Sequence, residues 1–247
     1  MNGLLFAIQF LTRLPVPFAV PVDQEVQRQS FYWHAAVGLL IGALLWLTAW
    51  LSQTLWSSPL LAAAIVVLAW VLITGALHLD GLGDSADAWL GGYGDNKKTL
   101  AIMKDPTSGP AAIVWIVSVL LLKLAAIGAL LQREVLLPLL LTPAMARFAS
   151  MCLFAATPYV RRNGLGSPLV QNIQQPNLVF QGFGLVLLVL VSCQLSGLVS
   201  LLISAALWFY LRHLMLKRIE GTTGDTAGAL IELIETIALI GFCVALP

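Results

Sequence analysis

The chain has 247 residues, of which 59% are hydrophobic and only 10% charged, with a formal net charge of +1. A soluble domain carries about 25% charged residues, so this composition cannot cover a surface in water, and its scattered basic residues form no nucleic-acid patch. With a mean hydropathy of +0.90 and apolar runs near the roughly 20 residues that cross a hydrocarbon core, the sequence predicts an all-α polytopic protein with the lipid bilayer as its solvent.

In chain order, residues 1–10 are too short for a cleaved signal and are followed by Arg13, Pro15 and Pro17. They predict an interfacial or re-entrant N-terminal segment retained in the mature protein. Punctuation by Gly, Pro and charge then gives about seven transmembrane helices, near 31–51, 59–78, 110–131, 135–157, 178–194, 197–214 and 227–246. The cut at Cys193 to Gly197 decides the count, which falls to six without a turn there. Cys152, Cys193 and Cys243 stand singly in apolar runs and are expected to be packing residues. His34 and His213 are expected at interfacial positions.

Basic residues accumulate in cytoplasmic loops. With the N-terminus inside, Arg13, Arg28, Lys97, Lys98, Lys104, Arg161, Arg162, Arg212, Lys217 and Arg218 share one side and Arg133 alone takes the other. Merging the two helices around Cys193 would move Arg212, Lys217 and Arg218 to the wrong face, so seven spans with the C-terminus outside are expected. The chain then forms a single membrane domain, 1–247, with cytoplasmic active-site loops near 79–109, 158–177 and 215–226.

After the second span runs His78-Leu-Asp80-Gly-Leu-Gly-Asp84-Ser-Ala-Asp87. On a helix, positions i, i+4 and i+7 lie within roughly 60° of one another. Any one of these aspartates alone would read as a solvated helix end; three on one stripe, in a chain with twelve acidic residues, call for cations. Hard oxygen ligands suit Mg²⁺, with Mn²⁺ as the alternative, so Asp80, Asp84 and Asp87 are the predicted metal ligands. Magnesium usually takes one or two carboxylates plus substrate phosphates, which points to phosphoryl transfer. Downstream, Lys104-Asp105 sits between turn signals, with the lysine suited to phosphate oxygens and Asp105 to a ligand or base role.

A second constellation, Glu220-Gly-Thr-Thr-Gly-Asp225-Thr-Ala-Gly-Ala, opens the last span, followed by Glu232 and Glu235. A Gly/Thr-rich turn entering a helix offers free N–H groups to anions, and Asp225 or Thr223 also suits an N-cap. Glu232 inside the apolar run and Arg147 mid-span are intramembrane charges and functional candidates by default. They are expected at comparable depth, with Glu232 holding Arg147 for a substrate phosphate. The same default applies to Lys123, which has a longer flexible stem and no motif around it.

The run 78–87, Ile-Met-Lys-Asp at 102–105, Gly-Asp-Thr-Ala-Gly-Ala at 224–229 and Phe10-Leu-Thr-Arg13-Leu-Pro-Val-Pro17 together resemble the bacterial cobalamin synthase family, the adenosylcobinamide-GDP ribazoletransferases. The resemblance spans nearly the whole chain. It implies that adenosylcobinamide-GDP and α-ribazole, or its 5′-phosphate, are joined with release of GMP at a Mg²⁺-dependent site on the cytoplasmic face of the bacterial inner membrane. Asp84, Asp105 and Lys104 are the expected catalytic groups, and Arg13, His78, Arg147, Asp225 and Glu232 the expected substrate-binding groups. Other cobalamin-assembly enzymes and further copies of the chain are candidate partners. The alternatives are a CDP-alcohol-type phosphotransferase, whose Asp-x-x-Asp-Gly-x-x-Ala-Arg pattern is absent; an intramembrane protease, suggested by Gly81-Leu-Gly-Asp84; and a cation-coupled transporter, suggested by Glu232 and Arg147.

Overall fold

The computed structural model of the protein describes residues 2–16, 20, 23–161, 173 and 175–244. The described residues form helices throughout: α1 (Asn2–Leu11), α2 (Gln24–Phe31), α3 (His34–Leu55), α4 (Pro59–Thr74), α5 (Leu77–Gly91), α6 (Asn96–Ile102), α7 (Pro110–Gln132), α8 (Leu137–Ala156), α9 (Gln175–Ile219) and α10 (Gly224–Cys243). The short apolar α1 matches the expected N-terminal segment. Arg162 and most of the predicted 158–177 loop lie outside the described residues.

Helices α3, α7, α8, α9 and α10 are long and apolar enough to cross a membrane, and α4 with α5 makes a sixth if that bent pair is one span. Lipid has no hydrogen bonds to offer, so every spanning backbone must satisfy itself within helices. Leucine, tryptophan and valine side chains point outward from them, as at Leu47, Trp50, Leu72 and Val114.

The predicted span 59–78 is corrected in one respect. Helix α4 stops at Thr74, where Gly75 and Ala76 both take left-handed backbone angles (φ 62° and 58°). Gly75 N–H bonds to Leu72 O and Ala76 N–H to Val71 O, a Schellman stop that satisfies the last carbonyls. The chain turns by 88°, so the apolar run does not continue as one straight helix, and His78 lies on α5, beyond the corner, rather than on α4.

The cut near Cys193 is where the backbone breaks. Gln194 is non-helical (φ 46°, ψ −123°) within α9, and a Cβ on Gly197 would lie 2.6 Å from Val189 O. In a straight helix eight residues cover about 12 Å, so the chain has doubled back. Gln175 and Trp208 line one cavity beside α8, which a straight 45-residue helix of about 68 Å could not bring together. Counting the two arms of α9 separately, and α4 with α5 as one bent span, brings the spans to the seven expected.

Helix α10 is central. It packs on α5, α7, α8 and α9, and most of its residues are buried. Beside it α3 crosses α8 closely: a Cβ on Gly38 would come within 2.6 Å of Pro143 O, and one on Gly42 would run into Leu140 O. Small residues four apart let backbones approach where no water drives helices together.

Candidate active site

The site is built where α5 crosses the start of α10. A Cβ on Gly81 would sit 2.8 Å from Asp225 O, and one on Gly228 would sit 3.4 Å from His78 O. The glycines of both motifs therefore let the two backbones touch. Because 77–91 is helical, Asp80, Asp84 and Asp87 share one face as expected. Burial, then the negative charges of Asp80 and Asp225, push the Asp84 carboxyl up to about 6, against the opposing pull of Arg161. The contact of Gly81 with the Asp225 backbone brings Asp225 into the field of the α5 carboxylates.

Arg161 reaches this field by an ordered path. Thr222 N–H bonds to Pro158 O and Val160 N–H to Thr222 O, tying segment 158–161 to the turn before α10. Arg161 Nη1 then lies 2.6 Å from Asp225 Oδ2 and Nη2 donates to Met103 O. The Thr223–Thr226 capping box fixes the start of α10, as the N-cap alternative anticipated. A cavity of about 170 Å³ opens between these elements, with Asp80, Asp225 and Arg161 among its walls and His34 and His78 also lining it. A larger groove of about 730 Å³ runs between α3 and α9, but it gathers no charged side chain, whereas convergent titratable groups mark a reactive cavity.

The other expected residues are placed differently. Asp87 Oδ2 accepts from Gly109 N–H (2.6 Å) and Oδ1 from Ala112 N–H (3.1 Å), so its carboxylate holds the first turn of α7. Among the described residues no three His, Cys, Asp or Glu side chains stand together as a metal site; the three aspartates share a face but are not one ligand set. Asp80 and Asp84 remain, which suits an ion that takes one or two carboxylates and completes its shell with phosphate and water. Asp105 is exposed and accepts from the hydroxyl and N–H of Thr107, which hold its carboxyl below the usual range and make it a weak base. Lys104 is exposed one residue beyond the buried Met103. Arg13 folds over Gly75 at the α4–α5 corner, where a Cβ would meet its Cγ at 2.5 Å.

Beneath the cavity lies a buried four-charge network. Lys123 Nζ reaches Glu232 Oε2 (2.7 Å) and Glu235 Oε2 (2.5 Å), Arg147 Nη1 pairs with Glu235 Oε1, and Arg147 Nη2 lies 3.4 Å from His78 Nδ1. The expected Arg147–Glu232 pairing is thus corrected: Glu235 is Arg147's partner, and Glu232 serves Lys123. Two cations and two anions balance, which relieves the cost of each alone in the membrane. His34, in the first turn of α3, is buried within the protein, 2% exposed. Lys123 was visible only as an intramembrane charge without a motif, because its partners lie 109 and 112 residues away; no local pattern marked His34 as part of the site, and Glu235 was visible as a charge three residues after Glu232.

These observations define a polytopic membrane protein with an acidic, arginine-bearing site at one end of its bundle. The chain belongs to the cobalamin-5-phosphate synthase family, whose profile matches residues 3–243. It is 48% identical to the adenosylcobinamide-GDP ribazoletransferase of Stutzerimonas stutzeri strain A1501, over 98% of this chain and 97% of that protein. It is 50% identical to the protein of the same name from Pseudomonas putida strain F1, over 97% and 98%, and 48% identical to that of strain GB-1 over the whole of both. No solved structure matches the chain. Family membership replaces the protease, transporter and CDP-alcohol alternatives.

Proposed function

We propose that the α5–α10 junction is where this chain carries out the reaction of its family. The activity is that of an adenosylcobinamide-GDP ribazoletransferase: a ribose hydroxyl of α-ribazole or its 5′-phosphate attacks the corrinoid-proximal phosphorus of adenosylcobinamide-GDP, and the bridging P–O bond breaks to release GMP. The observation that carries the assignment is the meeting of Asp80, Asp225 and Arg161 around one cavity, with Asp84 on the same α5 face and within their electrostatic field. Phosphoryl transfer through a loose transition state asks a protein mainly for positioning and charge compensation.

Asp80 and Asp84 are the residues that would hold Mg²⁺, an ion that in phosphoryl-transfer sites offsets charge on the phosphate oxygens. Asp225, held by Arg161 at 2.6 Å, orients the attacking hydroxyl and receives its proton, a step that a loose transition state does not make demanding. Arg161, with Lys104 on the neighbouring loop, meets the charge that gathers on the departing phosphate. The site faces the cytoplasm of the bacterial inner membrane, because the basic residues gather at this end: Arg212 bonds to Ala156 O and Arg218 to Trp89 O, while Arg133 follows α7 at the far end.

Purified protein in liposomes, given adenosylcobinamide-GDP and α-ribazole 5′-phosphate, tests the assignment. GMP should appear only with both substrates and Mg²⁺, and should stop on chelation. No GMP with both substrates and Mg²⁺ contradicts the activity; full release in excess chelator contradicts the metal.

A further inference from the structure

The mouth and the floor of the 170 Å³ cavity differ in chemistry. At the mouth stand the exposed Asp80 and the half-buried Asp225 and Arg161. At the floor lie His34 and His78, 2% and 4% exposed, and between them aromatic walls from Phe10, Phe154 and Tyr159. His34 Nε2 is buried and has no hydrogen-bond partner in the protein. A buried polar atom left unpaired costs free energy unless something arrives to pair with it.

The second histidine has its proton placed by its neighbour. Arg147 lies 3.4 Å from His78 Nδ1, and a guanidinium can only donate. Nδ1 is therefore the acceptor, the ring is neutral, and its proton sits on Nε2. Glu235 holds Arg147 from the other side, so the tautomer is set by a chain of buried contacts reaching into the membrane.

Such a chamber selects its occupant. A corrin is far too large for it. Guanine would bring a carbonyl, an amino group and ring N–H groups to apolar walls that could satisfy few of them. A flat, largely apolar bicyclic ring with one unsubstituted ring nitrogen fits, with its faces on the aromatic side chains and its nitrogen on a histidine N–H. The base of the riboside has that chemistry, and with the base on the floor its sugar extends to Asp80 and Asp225 at the mouth.

We propose that this cavity receives the heterocyclic base of the riboside nucleophile, with His34 as the specificity-determining residue that donates from Nε2 to the base's free ring nitrogen. The assignment rests on the reaction described above. It adds which substrate enters, which way round, and what reads it.

The test compares α-ribazole 5′-phosphate with an analogue in which the base's free ring nitrogen is replaced by C–H. In the wild-type protein the analogue should show a KM or Kd roughly tenfold higher, the size of one neutral hydrogen bond in a dry site. In His34→Ala the two compounds should become equivalent, while the KM for adenosylcobinamide-GDP moves less than twofold. His34→Gln, which keeps a donor, should recover part of the discrimination. Equal affinity of the two compounds for the wild-type protein overturns the proposal without any variant. So does unchanged discrimination in His34→Ala, or a KM increase confined to the GDP-activated corrinoid. Absence of GMP release by the wild-type protein would instead reject the underlying activity, and direct binding of the two ribosides would still decide the question of the base.

Discussion

Asp87 differs from its two neighbours on the α5 stripe because both its oxygens accept backbone N–H groups at the start of α7. Asp87→Ala should therefore destabilise the protein by about 1–2 kcal/mol, the usual loss on removing a helix cap, and lower its thermal midpoint in detergent. Asp84 gives the opposite sign. Its carboxyl is raised to about 6 by burial and by Asp80 and Asp225, so the folded state holds the proton more tightly than the unfolded chain does. That contribution is complete below the unfolded value near 4 and is lost as pH rises through 6. With chelator present, Asp84→Asn should accordingly raise the thermal midpoint at pH 7.5 and leave it unchanged at pH 4. Equal effects at both values would refute the electrostatic origin. The stripe itself was legible in the sequence, because helical periodicity fixes which residues share a face. The division of roles along it was not, since Asp87's partners lie 22 and 25 residues away.

Among elements, the α9 turn and the α4–α5 corner show what hydropathy can and cannot reveal. The turn at Gln194 was required by charge, because Arg212 and Arg218 had to return to the site end. The corner at Gly75 was hidden, because apolar residues run through it and its cause is a pair of left-handed backbone angles, to which hydropathy is blind. The α3–α8 crossing depends on Gly42 lying directly on Leu140 O. Gly42→Ala should cost more stability than Gly184→Ala, a change that meets nothing within 4 Å, as read by thermal aggregation in detergent. Arg147 and Glu235 couple α8 to α10 without a solvent-exposed side chain. Removing one partner of such a pair typically costs 3–5 kcal/mol. Arg147→Met and Glu235→Gln together should therefore lose less than the sum of the single changes, whereas Arg147→Met with Glu232→Gln should show weaker coupling.

For the whole molecule, the gathering of basic residues at one end of the bundle predicts the orientation proposed above, with that end in the cytoplasm. The 23 residues of α7 span about 35 Å, from Asp87's contact at its start to Arg133 at its end. After replacement of the three native cysteines, Lys97→Cys should react with an impermeant thiol reagent only once the inner face is opened, and Glu134→Cys should react in intact cells. The reverse pattern would invert the bundle. Span number and the acidic motif were accessible from composition and local pattern; the charge network was not, because Lys123 and Glu232 meet across 109 residues. The central claim is that the α5–α10 junction carries the chemistry, and the most direct measurement is single-turnover GMP release by Asp80→Asn in liposomes across a Mg²⁺ titration. The expected result is a rate lowered at least a hundredfold with insertion and thermal stability retained, because an exposed aspartate contributes little to the fold. A rate within about threefold of wild type at limiting Mg²⁺ would place the reaction elsewhere in the molecule.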